Sequence, residues 1–107
     1  MAVTHAKPGE KIRLASIDAD APTVRATALV KTDRFEVAQL FLRSGETIPA
    51  HSVEGYVTLS CLEGSVVLQL EKAVELARGD WIYLARGERH ALQATSDSSL
   101  LLTILFD

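Results

Sequence analysis

Apolar side chains recur at every second residue along this chain, and no window of eleven or more residues carries a clean helical period. Segments 11–17, 23–31, 34–43, 56–63, 65–70, 73–77, 80–84, 89–95 and 99–106 are short and rich in Val, Leu, Ile, Thr or aromatic residues. Gly, Pro, Ser or Asp separates them. A side-chain period of two belongs to an extended strand with one face buried, so each segment is read as a strand. The stretch nearest to a helix, EKAVELARG, is two turns long, and its flanks VVLQL and WIYLA favour a hairpin arm. So many short strands at close spacing predict an all-β sandwich or barrel, because closure removes edges that would otherwise pair with other chains.

The 107 residues suffice for one domain with a core of its own, and no second domain fits. Residues 1–10 are expected to be a tail or arm and residues 11–107 the barrel, with Asp18–Pro22 as a second linker-like stretch inside it. Hydrophobic residues at 48% and charged residues at 23% describe a soluble globular chain. The net charge of −3 is spread along the sequence, and no basic stripe is present to hold a phosphate backbone, so nucleic acid is not an expected partner. Cys61 is the only cysteine and lies in the alternating run VTLSCL, where a small core residue is expected; an intrachain disulfide is excluded. The N-terminus lacks the apolar region of a signal peptide, and LLLTILF is too short to span a bilayer, so a cytoplasmic location without membrane contact is expected.

Two histidines carry the chemistry. His51 lies in GETIPAHSVEGYVTLSCLEG and His90 in GDWIYLARGERHALQA. Parity puts Val57, Leu59 and Cys61 on the inner side of one strand; extended back without a bulge, the same side takes His51 and Val53. In the later strand His90, Leu92 and Ala94 share the inner side. The expected pocket is therefore His51, Val53, Val57, Leu59, His90 and Leu92, with both imidazoles on apolar faces.

These two segments resemble the two sequence motifs of the cupins, and the chain is similar to a small single-domain cupin of the conserved-barrel type. In the first motif Gly45 and Gly64 fall on the bounding glycines and His51 on the first histidine, while Val53 replaces the second histidine and Val57 the glutamate. In the second motif Gly79, Gly87 and His90 match, whereas Ala85 replaces the proline and Ala94 the asparagine. The resemblance implies a double-stranded β-helix, or jelly roll, and a homodimer formed by exchanged edge strands. The last strand, apolar on both faces from Leu100 to Phe106, agrees with a need for cover on two sides.

The resemblance further implies a divalent metal, iron, manganese, nickel or zinc, held in this family by three histidines and a carboxylate. Here only His51 and His90 remain of that set, and two imidazoles alone hold an ion weakly. Glu54, turned inward through Gly55, is one conceivable replacement donor; Gln39, Gln69 and Tyr83 are others, and His5 is a weaker one. Three readings stand open. The first is a barrel of unassigned role that binds a small molecule around His51 and His90. The second is an oxygenase, isomerase or lyase using those histidines with an unidentified third ligand, or a metal-free enzyme with one histidine as general acid or base. The third is a non-catalytic structural or interaction domain.

The remaining side chains of interest have plainer readings. Asp80 and Glu88, the carboxylates nearest the second motif, read as turn residues, and Arg78, Arg86 and Arg89 as solvated or as receivers of an anionic substrate at the mouth. Trp81 and Tyr83 alternate with Ile82 and Leu84, so one of these pairs faces the core; Trp81 is read as core or interface packing.

Overall fold

The structure, a computed structural model, describes residues 5–17 and 25–106. Among the described residues nine strands follow one another: β1 (Arg25–Lys31), β2 (Phe35–Leu42), β3 (Thr47–His51), β4 (Tyr56–Glu63), β5 (Ser65–Gln69), β6 (Ala73–Ala77), β7 (Trp81–Leu84), β8 (His90–Ala94) and β9 (Ser98–Leu105). They form a five-stranded sheet in the order β1-β2-β9-β4-β7 and a four-stranded sheet in the order β3-β8-β5-β6. Every pairing is antiparallel. The β1–β2 and β5–β6 connections are hairpins within a sheet, and each other connection carries the chain across to the opposite sheet. This is an all-β architecture, as the strand spacing predicted, arranged as the double-stranded β-helix that the motif resemblance implied.

The core lies between the two inner faces. Leu100 and Cys61 from the five-stranded sheet meet Val66, Leu68, Leu76 and Ala94 from the other, all nearly inaccessible to solvent. Burying a side chain of this size contributes about 1.5–3 kcal/mol, so this layer supplies much of the drive to close the sandwich.

Gly64 makes the tightest of the sheet crossings. It has φ of 78°, and a Cβ there would collide with the Asp97 carbonyl and the Ser98 side chain. The close approach lets Ser65 donate its N–H to Ser96 Oγ and Ser98 Oγ, each at 3.0 Å, while Ser98 Oγ donates to Ser65 O at 2.9 Å. At the same end Asp97 accepts the Ser44 N–H at 2.9 Å and pairs with Arg43 at 3.1 Å. The Ser44 hydrogen bond, helped by the Arg43 guanidinium, holds the Asp97 carboxyl below its usual value.

Three sequence expectations change. Residues 11–17 form no regular strand. Side chains, not a sheet edge, hold the backbone of Ala15 and Ile17: Gln39 Oε1 accepts the Ala15 N–H at 3.2 Å, Gln39 Nε2 donates to Ala15 O at 2.7 Å, and Glu63 accepts the Ile17 N–H at 3.2 Å. One glutamine amide thus stands in for one backbone partner, and Ile12 and Leu14 stay 38% exposed, so their alternation marks no buried face. Conversely β3, TIPAH, was not among the expected strands because Pro49 interrupts it; it lies at the edge of its sheet, where proline is tolerated. Trp81 is not in the core of the chain. It and Tyr83 point outward, 61% and 54% exposed, while Leu84 opposes Val57 and Ile82 opposes Leu59 on the inner side. Asp18–Pro22 lies outside the described residues, and the Ala6 N–H reaches Leu29 O at 2.7 Å.

A contrast between the motif glycines tests the Gly64 crossing. Gly45 also has positive φ, but a Cβ on it meets nothing within 4 Å. Gly45→Ala is expected to cost only the left-handed backbone strain, about 1–2 kcal/mol. Gly64→Ala adds a backbone collision and is expected to cost about 3 kcal/mol or more by urea denaturation. Equal losses would show that the Gly64 contact with Asp97 and Ser98 is not constraining.

Candidate functional site

Antiparallel order brings the ends of β3, β7 and β9 and the starts of β4 and β8 to one end of the barrel, away from the Gly64 crossing. There His51 and His90 are direct cross-strand partners. In β3, Ile48 opposes Leu92 and His51 opposes His90, so three steps on β3 match two on β8. This one-residue bulge at Pro49–Ala50 decides where His51 points. Ile48 packs against the core, and on an unbulged strand a residue three positions later would face outward; the bulge returns it to the inner side. The continuous run from His51 to Cys61 assumed from sequence is broken at residues 52–55, where the chain crosses from β3 to β4 in the opposite sheet, although His51 does reach the inner side.

The ring centroids are 4.5 Å apart with the planes inclined at 54°. Each ring is turned by a main-chain carbonyl two residues earlier, in the β3 bulge for His51 and in the β7–β8 loop for His90: His51 Nδ1 lies 2.9 Å from Pro49 O, and His90 Nδ1 lies 3.0 Å from Glu88 O. A carbonyl oxygen only accepts, so both Nδ1 atoms donate. In a neutral imidazole the lone pair then sits on Nε2. Neither Nε2 has a protein partner among the described residues. No fully buried side-chain nitrogen or oxygen among them is unsatisfied, so the His90 Nε2 is reached from the cavity.

That cavity measures about 170 Å³. All six residues expected from sequence, His51, Val53, Val57, Leu59, His90 and Leu92, line it. Leu40, Ile48, Leu84, Leu102 and Ile104 complete the wall. Sequence reasoning missed these five. β2 and β9 are apolar on both faces, so parity alone does not choose their inner side, whereas alternation in WIYL had already offered Leu84 as one of two choices. His90 is buried and His51 is exposed at the mouth.

The other polar candidates lie elsewhere. Glu54 is exposed. Gln39 is on the outer face of its sheet, bonded to Ala15 and to Ser99 Oγ at 3.0 Å. Tyr83 stacks on Tyr56 outside the barrel, Gln69 is exposed with its amide on Leu70 O, and His5 is exposed. Arg78, Arg86 and Arg89 are exposed and do not line the cavity. The carboxylates of Asp80 and Glu88 accept the Ala77 and Ala85 N–H groups at 2.9 Å each, within their turns. His90 is thus oriented by the Glu88 main chain and not by its carboxylate.

The metal implied by the sequence resemblance meets a poor donor set. Among the described residues no group of three or more His, Cys, Asp or Glu side chains comes together. The two imidazoles are oriented as ligating histidines are, by a hydrogen bond from the far nitrogen, but the positions of the missing ligands carry Val53 and Val57. The residues present do not fit a tightly held ion.

Solved structures can now be compared. The chain is similar to a cupin superfamily protein from Desulfitobacterium hafniense, with TM-score 0.79 and 22% identity over 85% of this chain and 84% of that one. A conserved protein of unknown function from Streptococcus pyogenes gives TM-score 0.80 and 21% identity over 99% and 97%. An RmlC-like cupin family protein from Methanocaldococcus jannaschii, described as a double-stranded β-helix, gives 0.73 and 22% over 91% and 93%. No protein-family model matches the sequence, and no curated protein does. The chain therefore has the cupin fold, and that shared fold assigns it no specific role.

Cys61 belongs to the packed end and not to the cavity. Burial raises its thiol above the usual value, Asp80 adds to the rise, and a hydrogen bond with the Glu63 backbone opposes it. The folded thiol thus stays protonated where the unfolded one ionises, so its effect is nil below about pH 8.5 and stability falls as pH rises past it. Native protein at pH 8 is expected to react with iodoacetamide only as fast as it unfolds, and Cys61→Ala to soften the alkaline loss of stability. Rapid labelling of the native chain would contradict this placement.

Proposed function

We propose that the protein binds a small, mostly apolar molecule in the cavity around His51 and His90, without a resident metal ion. The observation that carries this reading is the wall itself: nine aliphatic side chains and two imidazoles, with no charged carboxylate, lysine or arginine among them. A metal-dependent oxygenase, isomerase or lyase needs a third donor, and nothing in the wall supplies one. The test pairs two measurements. Toluene titrated into methyl-labelled protein is expected to give saturable shifts at Val53, Val57, Leu59 and Leu92, and Leu59→Phe to abolish them. Plasma mass spectrometry on untagged protein is expected to find far less than one iron, manganese, nickel or zinc per chain. Near-stoichiometric metal in wild type that is lost in the His51→Ala, His90→Ala double variant would overturn the metal-free reading.

We further propose that the protein is a cytoplasmic homodimer. Among the described residues no helix is long and apolar enough to cross a membrane. The outer face of the five-stranded sheet supports pairing: Tyr56, Thr58, Ser60, Trp81, Tyr83, Leu101, Thr103 and Leu105 share it by register, and none is charged. This uncharged patch of the face meets its own copy about a two-fold axis without like-charge repulsion. Trp81 and Tyr83, on edge strand β7, are the aromatic anchors expected in it. Light scattering at micromolar concentration is expected to give twice 11.6 kDa and Trp81→Glu the single-chain mass. A monomeric wild type would reject the dimer.

A further inference from the structure

The two imidazoles also define which small molecule the cavity suits, an inference that rests on the small-molecule reading above. We propose that the ligand is a neutral molecule the size of one six-membered ring, apolar over most of its surface and carrying one or two adjacent hydroxyl donors at one edge. Phenol and catechol represent the class.

Hydrogen bonding sets the polarity of the ligand. Pro49 O and Glu88 O each take an Nδ1 proton, so the neutral pair offers two Nε2 lone pairs and no donor. A carboxylate or phosphate would face those lone pairs. Arg78, Arg86 and Arg89 do not line the cavity, so no guanidinium is there to compensate an anion. A ligand hydroxyl, by contrast, donates into Nε2. With the rings 4.5 Å apart, hydroxyls on neighbouring atoms of one ligand can each engage one imidazole.

Volume sets its size. Engineered apolar cavities of about 150 Å³ take up benzene, and drug-sized ligands occupy about 300 Å³ or more. At about 170 Å³ this cavity accommodates one ring with one or two small substituents. The side chains across from the histidines, among them Leu40, Leu59, Leu102 and Ile104, are aliphatic and suit the unsubstituted edge of that ring.

The experiment is a methyl-NMR titration of the full chain at pH 8 with toluene, phenol, catechol and benzoate. Phenol is expected to bind about three- to tenfold tighter than toluene, as one added hydrogen bond predicts, catechol at least as tightly as phenol, and benzoate weakest. His90→Phe is expected to erase phenol's advantage while leaving toluene bound; should that variant fail to fold, His51→Leu at the exposed mouth reads the same loss. Toluene binding as well as phenol, or benzoate binding tightest, would overturn the hydroxyl preference and leave the small-molecule reading standing. If none of the four, toluene included, shifts the cavity methyls, both readings fall.

Discussion

The barrel is packed solid at one end and left unfilled at the other, and everything proposed for this protein depends on that difference. At the packed end Cys61, Val66, Ala94 and Leu100 interlock beneath the Gly64 crossing, where the chain passes from one sheet to the other against Asp97 and Ser98. These residues hold the sheets at a fixed spacing. At the far end the same spacing is spanned by Val53, Val57 and the two histidines, whose side chains do not meet in the middle. Interiors pack like organic crystals, so a void of about 170 Å³ is a feature that needs a reason and not ordinary looseness.

The histidines give that void a direction. Each is held by a main-chain carbonyl two residues earlier, so neither needs a carboxylate partner to fix its tautomer. An imidazole oriented this way can donate its lone pair to an ion or accept a hydroxyl, and the neighbours decide between those uses. Here the neighbours are valines. Val53 and Val57 exclude water and provide no further donor, which favours a hydrogen-bonded organic ligand over a coordinated ion.

Much of this was readable beforehand, and the failures have specific causes. Alternation located eight of the nine strands, because one face of each is buried against the opposite sheet. It overlooked β3, whose proline and bulge break the period of two, and it took 11–17 for a strand because two half-exposed aliphatic side chains imitated a buried face. The six cavity residues named from the sequence line it from both sheets, Val57 and Leu59 from β4 and His51, His90 and Leu92 from β3 and β8, with Val53 in the crossing between β3 and β4. Leu102 and Ile104 did not declare themselves, since β9 is apolar on its outer face as well.

The sequence by itself determined an all-β fold of short strands with two imidazoles on their apolar faces, because local periodicity and turn residues are properties of neighbouring positions; its resemblance to the cupin motifs implied valines where further metal donors would stand. Tertiary structure alone decided the rest. That His51 meets His90 required a bulge opposite β8, that Gln39 serves as a clasp for residue 15 required a segment passing over its sheet, and that Trp81 faces outward required the register of β7 on β4. Each of these depends on pairing between residues distant in the chain, which no local pattern encodes.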